Sequence, residues 1–351
     1  MRHLIRRTAA LLTCVTIAAG CGGEGGSGGS GGSGGNVALT GAGATFPYPL
    51  YSQWFDAYNR ATGARINYQS IGSGGGIRQF TEGTVDFGAT DGPMTDEQIA
   101  AVQGDVMHIP AVLGAVVLTY NVPALGADTL KLDGGTIAGI FSGQITRWND
   151  SRLQQLNPGA SLPDSEIIPV HRSDGSGTTY IFTDYLAKVS PEWKERFGFG
   201  TSIGWPSGLG GKGNEGVTQQ VKQTEGAIGY VELLYATSNG LSYAQVRNAA
   251  GSFVTPSLAS VTAAAEQDLG DATDFRVSIT NAPGAEAYPV SSFTWLLIRR
   301  SGLADSAKQQ GLDNFLTWMI GPEAQRAAAD LGYAPLPMPV IERVQRTLEA
   351  R

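Results

Sequence analysis

The feature that most constrains the fold of this chain is a local plan that occurs three times: a short strand pattern, a glycine-containing turn and an amphipathic helix. Residues 36–40 predict a strand, the turn at 41–46 follows, and apolar residues at helical spacing fill 47–61. The plan returns at 65–82 and again at 166–189. Such units build open α/β sheets, which bind ligands beyond the carboxyl ends of their strands. The sequence therefore predicts an α/β fold with a site at that edge.

The helix starts of these units carry hydrogen-bond donors. We predict that the second turn covers 72–76 and its helix 77–82, and that the third turn covers 174–177 and its helix 178–189. A helix start offers unpaired N–H groups and the positive end of the helix dipole. Arg172 adds a cation beside the third turn. Singly, Ser or Thr before a helix is an ordinary cap, but together these segments predict an anion-binding cradle with hydroxyl donors from Thr45, Ser73, Ser176 and Thr178.

The first 35 residues predict export and tethering. Three arginines precede an apolar run at 8–19 that is too short to span a bilayer, which is typical of a secretory signal peptide, here residues 1–20. The run ends at Cys21 in a sequence that resembles a bacterial lipoprotein box, so Cys21 is expected to carry a lipid. The alternative is an ordinary cleaved signal with an incidental cysteine. Residues 21–35 would then be a lipidated cysteine followed by a flexible Gly/Ser tether, which places the protein outside the cytoplasm at the membrane surface.

The charge balance restricts the partners of the processed chain. Removal of the three signal arginines leaves 21 basic residues against 31 acidic ones, a formal charge of −10. Such a body does not attract nucleic acid or other anions through its overall field, so an anion must be recognised locally. Only His108 and His171 remain as histidines, and no histidine pair or carboxylate cluster has the spacing of metal ligands. We predict neither a metal nor a cofactor.

Six motifs, in order, closely resemble those of the phosphate-binding subunit of the bacterial high-affinity phosphate ABC transporter. They are GAGATFP (41–47), IGSGGG (71–76), VDFGATD (85–91), GIFSGQITRWN (139–149), RSDGSGT (172–178) and GAIGYV (226–231), within a similarity that runs from about 38 to 337. The resemblance implies a two-lobed, type II periplasmic-binding-protein fold that closes like a Venus flytrap, with hinge crossings near 116–121 and 288–294. Lobe 1 would comprise 36–117 plus 290–351, and lobe 2 would comprise 118–289.

The resemblance also implies the ligand, its contacts and the partners. It places inorganic phosphate between the lobes, against Thr45, Phe46, Ser73, Asp91, Arg172, Ser176, Gly177 and Thr178, with Asp174 pairing with Arg172. Asp91 would accept the proton that phosphate still carries near neutral pH, whereas sulfate, which has no proton to give, would meet an unpaired carboxylate. The implied partners are the permease subunits of the transporter and, through Cys21, the membrane. A monomer is expected.

Two other functions remain open from the residues alone. An exported phosphoester hydrolase would need a nucleophile with a base, or a metal, yet Gly-x-Ser-x-Gly is absent around both candidate serines, and His171 on a strand would point away from Arg172. A binding protein for sulfate or another oxyanion would keep the fold, and Asp91 argues against it. The glycine-rich segment 208–216 lacks the Gly-Lys-Ser/Thr ending of a P-loop and is expected to be a surface loop. We therefore predict a binding protein and not an enzyme.

Overall fold

The computed structural model describes residues 37–126, 129–266 and 274–351. The expected signal peptide, the lipidation site Cys21 and the Gly/Ser tether lie outside the described residues. Within the described segments, no helix combines the length and the apolar character needed to cross a membrane.

Strands and helices alternate through most of the described chain. The strands are β1 (Ala38–Gly43), β2 (Arg65–Ser70), β3 (Phe87–Thr90), β4 (Met107–Tyr120), β5 (Lys131–Leu132), β6 (Ile168–Arg172), β7 (Leu209–Gly211), β8 (Ala227–Glu232), β9 (Ser242–Tyr243), β10 (Gln245–Arg247), β11 (Phe253–Val254) and β12 (Ser291–Ile298). The α-helices are α1 (Tyr48–Thr62), α2 (Ser73–Glu82), α3 (Asp96–Ala101), α4 (Gly134–Phe141), α5 (Ser151–Leu156), α6 (Gly177–Val189), α7 (Pro191–Arg196), α8 (Gly213–Gln223), α9 (Leu233–Ser238), α10 (Leu258–Ala265), α11 (Ser306–Met319), α12 (Pro322–Asp330) and α13 (Met338–Glu349).

One mixed sheet organises these elements. Its strand order is β2-β1-β3-β12-β4-β8-β6-β7, with β9 paired to the end of β4, while β5, β10 and β11 form a separate small sheet. The long strand β4 pairs with β12 through residues 107–115 and with β8 through residues 116–120. We call β2, β1, β3, β12 and residues 107–115 of β4 the β1 half. Residues 116–120 of β4 with β8, β6 and β7 are the β6 half.

The parallel strands of each half, β1 to β3 on one side and β6 to β8 on the other, direct their carboxyl ends toward the middle of β4. In the β1 half, β3 runs in the same direction as β4, and Thr90 at its end lies level with Pro110 through Trp295. In the β6 half, β6 runs in the opposite direction to β4, and Val170 lies level with Thr119. The loops that follow β1, β3 and β6 therefore project toward one place, which is where an α/β sheet is expected to bind a ligand.

The apolar faces predicted from the sequence form the core of the β1 half. On α1 the predicted face is buried, and Trp54 donates a hydrogen bond from Nε1 to the Ala324 carbonyl oxygen at 2.9 Å. On α11 the apolar face is buried as well: Leu312, Phe315, Leu316 and Met319. The two helices contact each other through aromatic rings, with Phe55 and Phe315 5.5 Å apart between ring centroids.

Two predicted boundaries were wrong, both at glycine-rich segments. The segment 41–43, predicted as part of a turn, continues β1 to Gly43, and α2 begins at Ser73 and not at 77. Close packing is the reason. A Cβ atom on Gly43 would overlap the Ala89 carbonyl oxygen, and one on Gly76 would lie 2.8 Å from the same oxygen. These glycines allow strand β3 and helix α2 to approach β1, so they act inside regular structure.

Substitution of Gly43 tests this close approach. Gly43→Ala is expected to lower the free energy of unfolding by about 3 kcal/mol or more, because an unfavourable positive φ of 147° is combined with steric overlap in the sheet. Gly63→Ala is the matched control. Its φ is also positive, at 77°, but no atom lies within 4 Å of the added Cβ, so a loss of about 1 kcal/mol is expected. Equal losses in urea unfolding would contradict the packing explanation.

Candidate functional site

The structure brings the predicted ligand positions of both halves together. Thr45 and Phe46 follow β1, Ser73 begins α2 and Asp91 follows β3. From the β6 half, Arg172 ends β6, and Ser176, Gly177 and Thr178 form the start of α6. All eight residues are buried. The contact between halves is close, since a Cβ atom on Gly177 would overlap Ser73 Oγ and lie 2.6 Å from Asp91 Oδ2. We call this region the cleft.

Arg172 supplies the cleft with a buried positive charge. Its side chain is 1% exposed and forms a two-pronged ion pair with Asp174, with Nε–Oδ1 and Nη2–Oδ2 distances of 2.7 and 2.6 Å. Asp174 also accepts from the Gly213 N–H at 3.1 Å. Burial opposes ionisation of Asp174, but the hydrogen bonds and charge of Arg172 outweigh it and lower the pKa of this carboxyl. The pair orients the guanidinium, and Nη1 reaches Thr178 Oγ1 at 3.3 Å.

Five buried backbone N–H groups at the cleft have no acceptor within the described part of the chain. They belong to Thr45, Phe46, Ser73, Gly177 and Thr178. A buried N–H group without an acceptor is rare and costly in a folded protein. Gly177 and Thr178 open α6, where the helix dipole also favours negative charge. Free donors at a helix start beside a guanidinium are suited to an oxyanion.

Asp91 is a buried carboxyl on the β1 side of the cleft. Thr294 donates to its Oδ1 at 2.7 Å, and Ser73 donates to its Oδ2 at 3.3 Å. Thr294 lies at a bulge in the pairing of β12 with β4, and bulges often re-aim side chains next to functional sites. Burial raises the pKa of Asp91 to about 7, although the hydrogen bonds and the charge of Arg172 act against it. Near neutral pH this carboxyl can therefore accept or donate a proton.

The glycine-rich segment 208–216, predicted as a surface loop, contributes to the cleft. Its middle forms β7 and the start of α8, and Asn214 is fully buried. Asn214 Nδ2 lies 2.8 Å from Thr45 Oγ1 and 3.1 Å from Thr178 Oγ1. Residues 208–210 and Lys212 are exposed, as predicted, but the prediction was wrong for Gly213 and Asn214, which the start of α8 buries. In the sequence, the only sign was another glycine turn before a helix.

Glu232 is a second buried carboxyl near the cleft, and the sequence patterns did not single it out. It ends β8 with 1% exposure, and its Oε2 accepts hydrogen bonds from the Leu234 N–H at 2.8 Å and the Tyr333 hydroxyl at 3.1 Å. Burial raises its pKa to about 8, partly offset by these hydrogen bonds. Tyr333 shares its one hydroxyl hydrogen with the Phe46 carbonyl oxygen at 2.8 Å, so it links Glu232 to the loop after β1.

Backbone and tyrosine contacts complete the junction between the halves. The Gly74 N–H donates to the Gly175 carbonyl oxygen at 2.9 Å. The Tyr235 hydroxyl donates to the Thr45 carbonyl oxygen at 2.6 Å. The halves are thus joined across the cleft by polar contacts.

Neither histidine takes part in the cleft. His171 stacks on Trp205 with ring centroids 5.0 Å apart. His108 accepts a hydrogen bond from the Met94 N–H at 3.1 Å, and burial lowers its pKa to about 4. Among residues 37–126, 129–266 and 274–351, no group of three or more His, Cys, Asp or Glu side chains is placed to hold a metal ion.

Comparisons with known proteins identify the class. Residues 26–323 match the model of the PBP superfamily domain. The structure of the periplasmic phosphate-binding protein PfluDING, bound with phosphate, is similar with a TM-score of 0.72 and 22% identity, over 88% of this chain and 93% of that one. The phosphate-binding protein of Stenotrophomonas maltophilia gives 0.68 and 20% over the same shares. The chain therefore has the two-lobed periplasmic-binding-protein fold.

Curated relatives identify the family. The chain is 46% identical over 311 residues to the phosphate-binding protein PstS of Xylella fastidiosa (strain 9a5c), which is 88% of this chain and 84% of that protein. It is 46% identical over 308 residues to the same protein of Pasteurella multocida, covering 88% of each. The chain belongs to this family, the substrate-binding proteins of phosphate ABC transporters, which are binding proteins and not enzymes.

The raised pKa of Glu232 predicts a pH-dependent contribution to stability. The pKa is about 8 in the folded protein and about 4.5 for an ordinary glutamate. The folded state therefore holds the proton more tightly, and the stabilisation is complete below about pH 4.5 and is lost as the pH rises through about 8. Glu232→Gln cannot take up this proton.

The phosphate-free proteins are compared by calorimetric melting between pH 8.5 and 5.5. The melting temperature of the wild type minus that of Glu232→Gln is expected to increase as the pH falls. A difference that stays constant with pH would contradict the raised pKa. Using the difference removes the opposite effect of His108, whose pKa is lowered in the folded state.

Proposed function

We propose that this protein captures inorganic phosphate outside the cytoplasm and delivers it to the permease subunits of a phosphate ABC importer. The observation that best supports phosphate as the ligand is the convergence of donors in one buried cleft. A guanidinium, five unpaired backbone N–H groups and several hydroxyls face the same region from both halves of the sheet. The names of its curated relatives agree with this ligand.

The proposed phosphate contacts use every donor type in the cleft. Arg172 provides the charge, and Asp174 holds it in position. Ser176 Oγ accepts from the Thr179 N–H at 3.1 Å, which leaves its own O–H proton free to donate. Hydrogen bonds to a charged group contribute about 1.5–3 kcal/mol each, which offsets the loss of phosphate hydration. The full proposed set is Thr45, Phe46, Ser73, Asp91, Arg172, Ser176, Gly177 and Thr178.

Asp91 is proposed to accept a hydrogen bond from the protonated oxygen of phosphate. A carboxylate next to an anion is repulsive unless a hydrogen bond joins them. Phosphate near neutral pH carries a proton that Asp91 can accept, and sulfate does not. Bound sulfate would leave the buried Asp91 carboxylate against an oxygen with no hydrogen, which is the kind of mismatch that polar sites reject strongly.

The proposed lobes are 36–117 plus 290–351 and 118–289. The change of partner along β4 supports a crossing at this point, because pairing with β12 ends at Ala115 and pairing with β8 begins at Val116. The second crossing is proposed just before β12, near residue 290. Opening about these two crossings would separate the donors of the two halves and release phosphate. No second copy of the chain is needed to complete the cleft, and we propose a monomer.

Substitution of Asp91 tests the selectivity proposal. Asp91→Asn is expected to lower the ratio of phosphate affinity to sulfate affinity by about tenfold or more. The substitution removes the negative charge at position 91, and the new amide can donate a hydrogen bond to a sulfate oxygen. In the wild type the ratio is expected to narrow as the pH falls below about 7, where Asp91 takes up a proton. The Asn variant lacks this contribution. Isothermal titration with both anions between pH 5.5 and 8 gives the ratios.

Asp184→Asn is the matched control for this titration. Asp184 is also a buried, hydrogen-bonded carboxyl, and it lies beside Lys188 and Ser278. Its substitution is expected to leave the phosphate-to-sulfate ratio unchanged. An unchanged ratio in Asp91→Asn would remove this account of sulfate rejection while leaving phosphate capture intact.

The proposed anchor is tested at Cys21. Cys21→Ser should move the protein from the membrane fraction to the soluble extracytoplasmic fraction and abolish lipid-dependent mass at the N-terminus, because only the cysteine can carry the lipid. Phosphate affinity should be unchanged. Fractionation and intact-mass measurement provide the data. Membrane association that survives the substitution would show that another contact retains the protein.

A further inference from the structure

Asn214 makes contacts that no ordinary structural asparagine needs. It is the second residue of α8, it is fully buried, and its side chain touches one proposed phosphate ligand from each half of the sheet. These contacts hold the two threonines in place, and they also determine which partner donates in each hydrogen bond.

The orientation of the Asn214 amide follows from one contact. Oδ1 accepts from the Glu232 backbone N–H at 2.9 Å, and a backbone N–H can only donate. The oxygen must therefore face Glu232, and the NH₂ group must face the cleft. Its two hydrogens are directed to Thr45 Oγ1 and Thr178 Oγ1.

Both threonine hydroxyls are then restricted to donating. A hydroxyl has two lone pairs and one hydrogen. Thr45 Oγ1 accepts from Asn214 Nδ2 and from the Asn214 backbone N–H at 3.2 Å. Thr178 Oγ1 accepts from Asn214 Nδ2 and from Arg172 Nη1. Neither hydroxyl donates to a protein atom in the described segments, so each has its hydrogen left for another acceptor.

We propose that Asn214 is a positioning residue that holds the Thr45 and Thr178 hydroxyls as donors toward the bound phosphate and joins the two halves of the cleft while doing so. The inference rests on the proposed function and deepens it. Phosphate affinity would then depend on a residue that does not touch the anion.

Two substitutions at Asn214 test the proposal by phosphate titration calorimetry. Asn214→Ala removes one of the two donors to each hydroxyl, leaving the residue-214 backbone N–H at Thr45 and Arg172 Nη1 at Thr178, and an affinity loss of about 10- to 100-fold is expected because both hydroxyls are less restricted. Asn214→Asp keeps the shape but presents an acceptor, so the threonine hydroxyls would donate to it and turn away from phosphate. A loss greater than that of Asn214→Ala is expected. A purely space-filling role predicts the reverse order, and that order would overturn the proposal.

A double-mutant cycle with Asn214→Ala, which adds no charge, separates the hydroxyl effect from lost stability. If Asn214 acts through the threonines, Asn214→Ala should change phosphate affinity less than threefold in a Thr45→Val, Thr178→Val background. Additive losses would overturn the proposal. Asn157→Ala is the control: Asn157 is a buried asparagine that binds the Lys131 backbone, and its loss should lower the melting temperature without changing phosphate affinity.

Phosphate titration of the wild type distinguishes a failure of the proposed function from a failure of the proposed role of Asn214. If the wild type does not bind phosphate, the proposed function fails. If the wild type binds phosphate and Asn214→Ala binds it within twofold of the wild type, phosphate capture stands and the role of Asn214 is wrong.

Discussion

The burial of the Arg172 side chain is the constraint on which the rest of the site depends. A guanidinium withdrawn from water must be matched by a charge and by acceptors. Asp174 provides both, and the Gly213 N–H at the start of α8 holds Asp174 in turn. Gly72, at the start of α2, leaves room for the Asp174 carboxylate, which a Cβ atom there would overlap. One ion pair therefore sets the positions of three loops.

The carboxyls around this pair explain how an acidic protein can hold an anion. Asp174 stays ionised beside Arg172, whereas burial raises the pKa of Asp91 and of Glu232 to about 7 and about 8. Near neutral pH, the latter two groups carry less than their full negative charge. The cleft therefore carries less negative charge than its number of carboxyl groups suggests, although the processed chain has a formal charge of −10. Its unpaired backbone N–H groups are the main donors available to an anion.

The strand and helix plan was readable because its signals are local. Helical spacing located the buried face of α1. The order of motifs found the loops of the cleft. Asn214 and Glu232 were missed because their roles depend on long-range pairing: β7 beside β6, and β8 beside β4. An asparagine after a glycine turn, or a glutamate ending a strand, has no sequence signal of its own. Glycines inside β1 and α2 were mistaken for turns for the same reason.

The halves meet at glycine. Gly74 faces Gly175, and Gly177 lies against Ser73 and Asp91, so at these points the touching surfaces are main chain and polar groups. Separating these contacts exposes little apolar area to solvent, so the hydrophobic effect adds little to their stability. Under the proposed function, bound phosphate would supply most of the attraction at these contacts, and they would separate readily once it leaves.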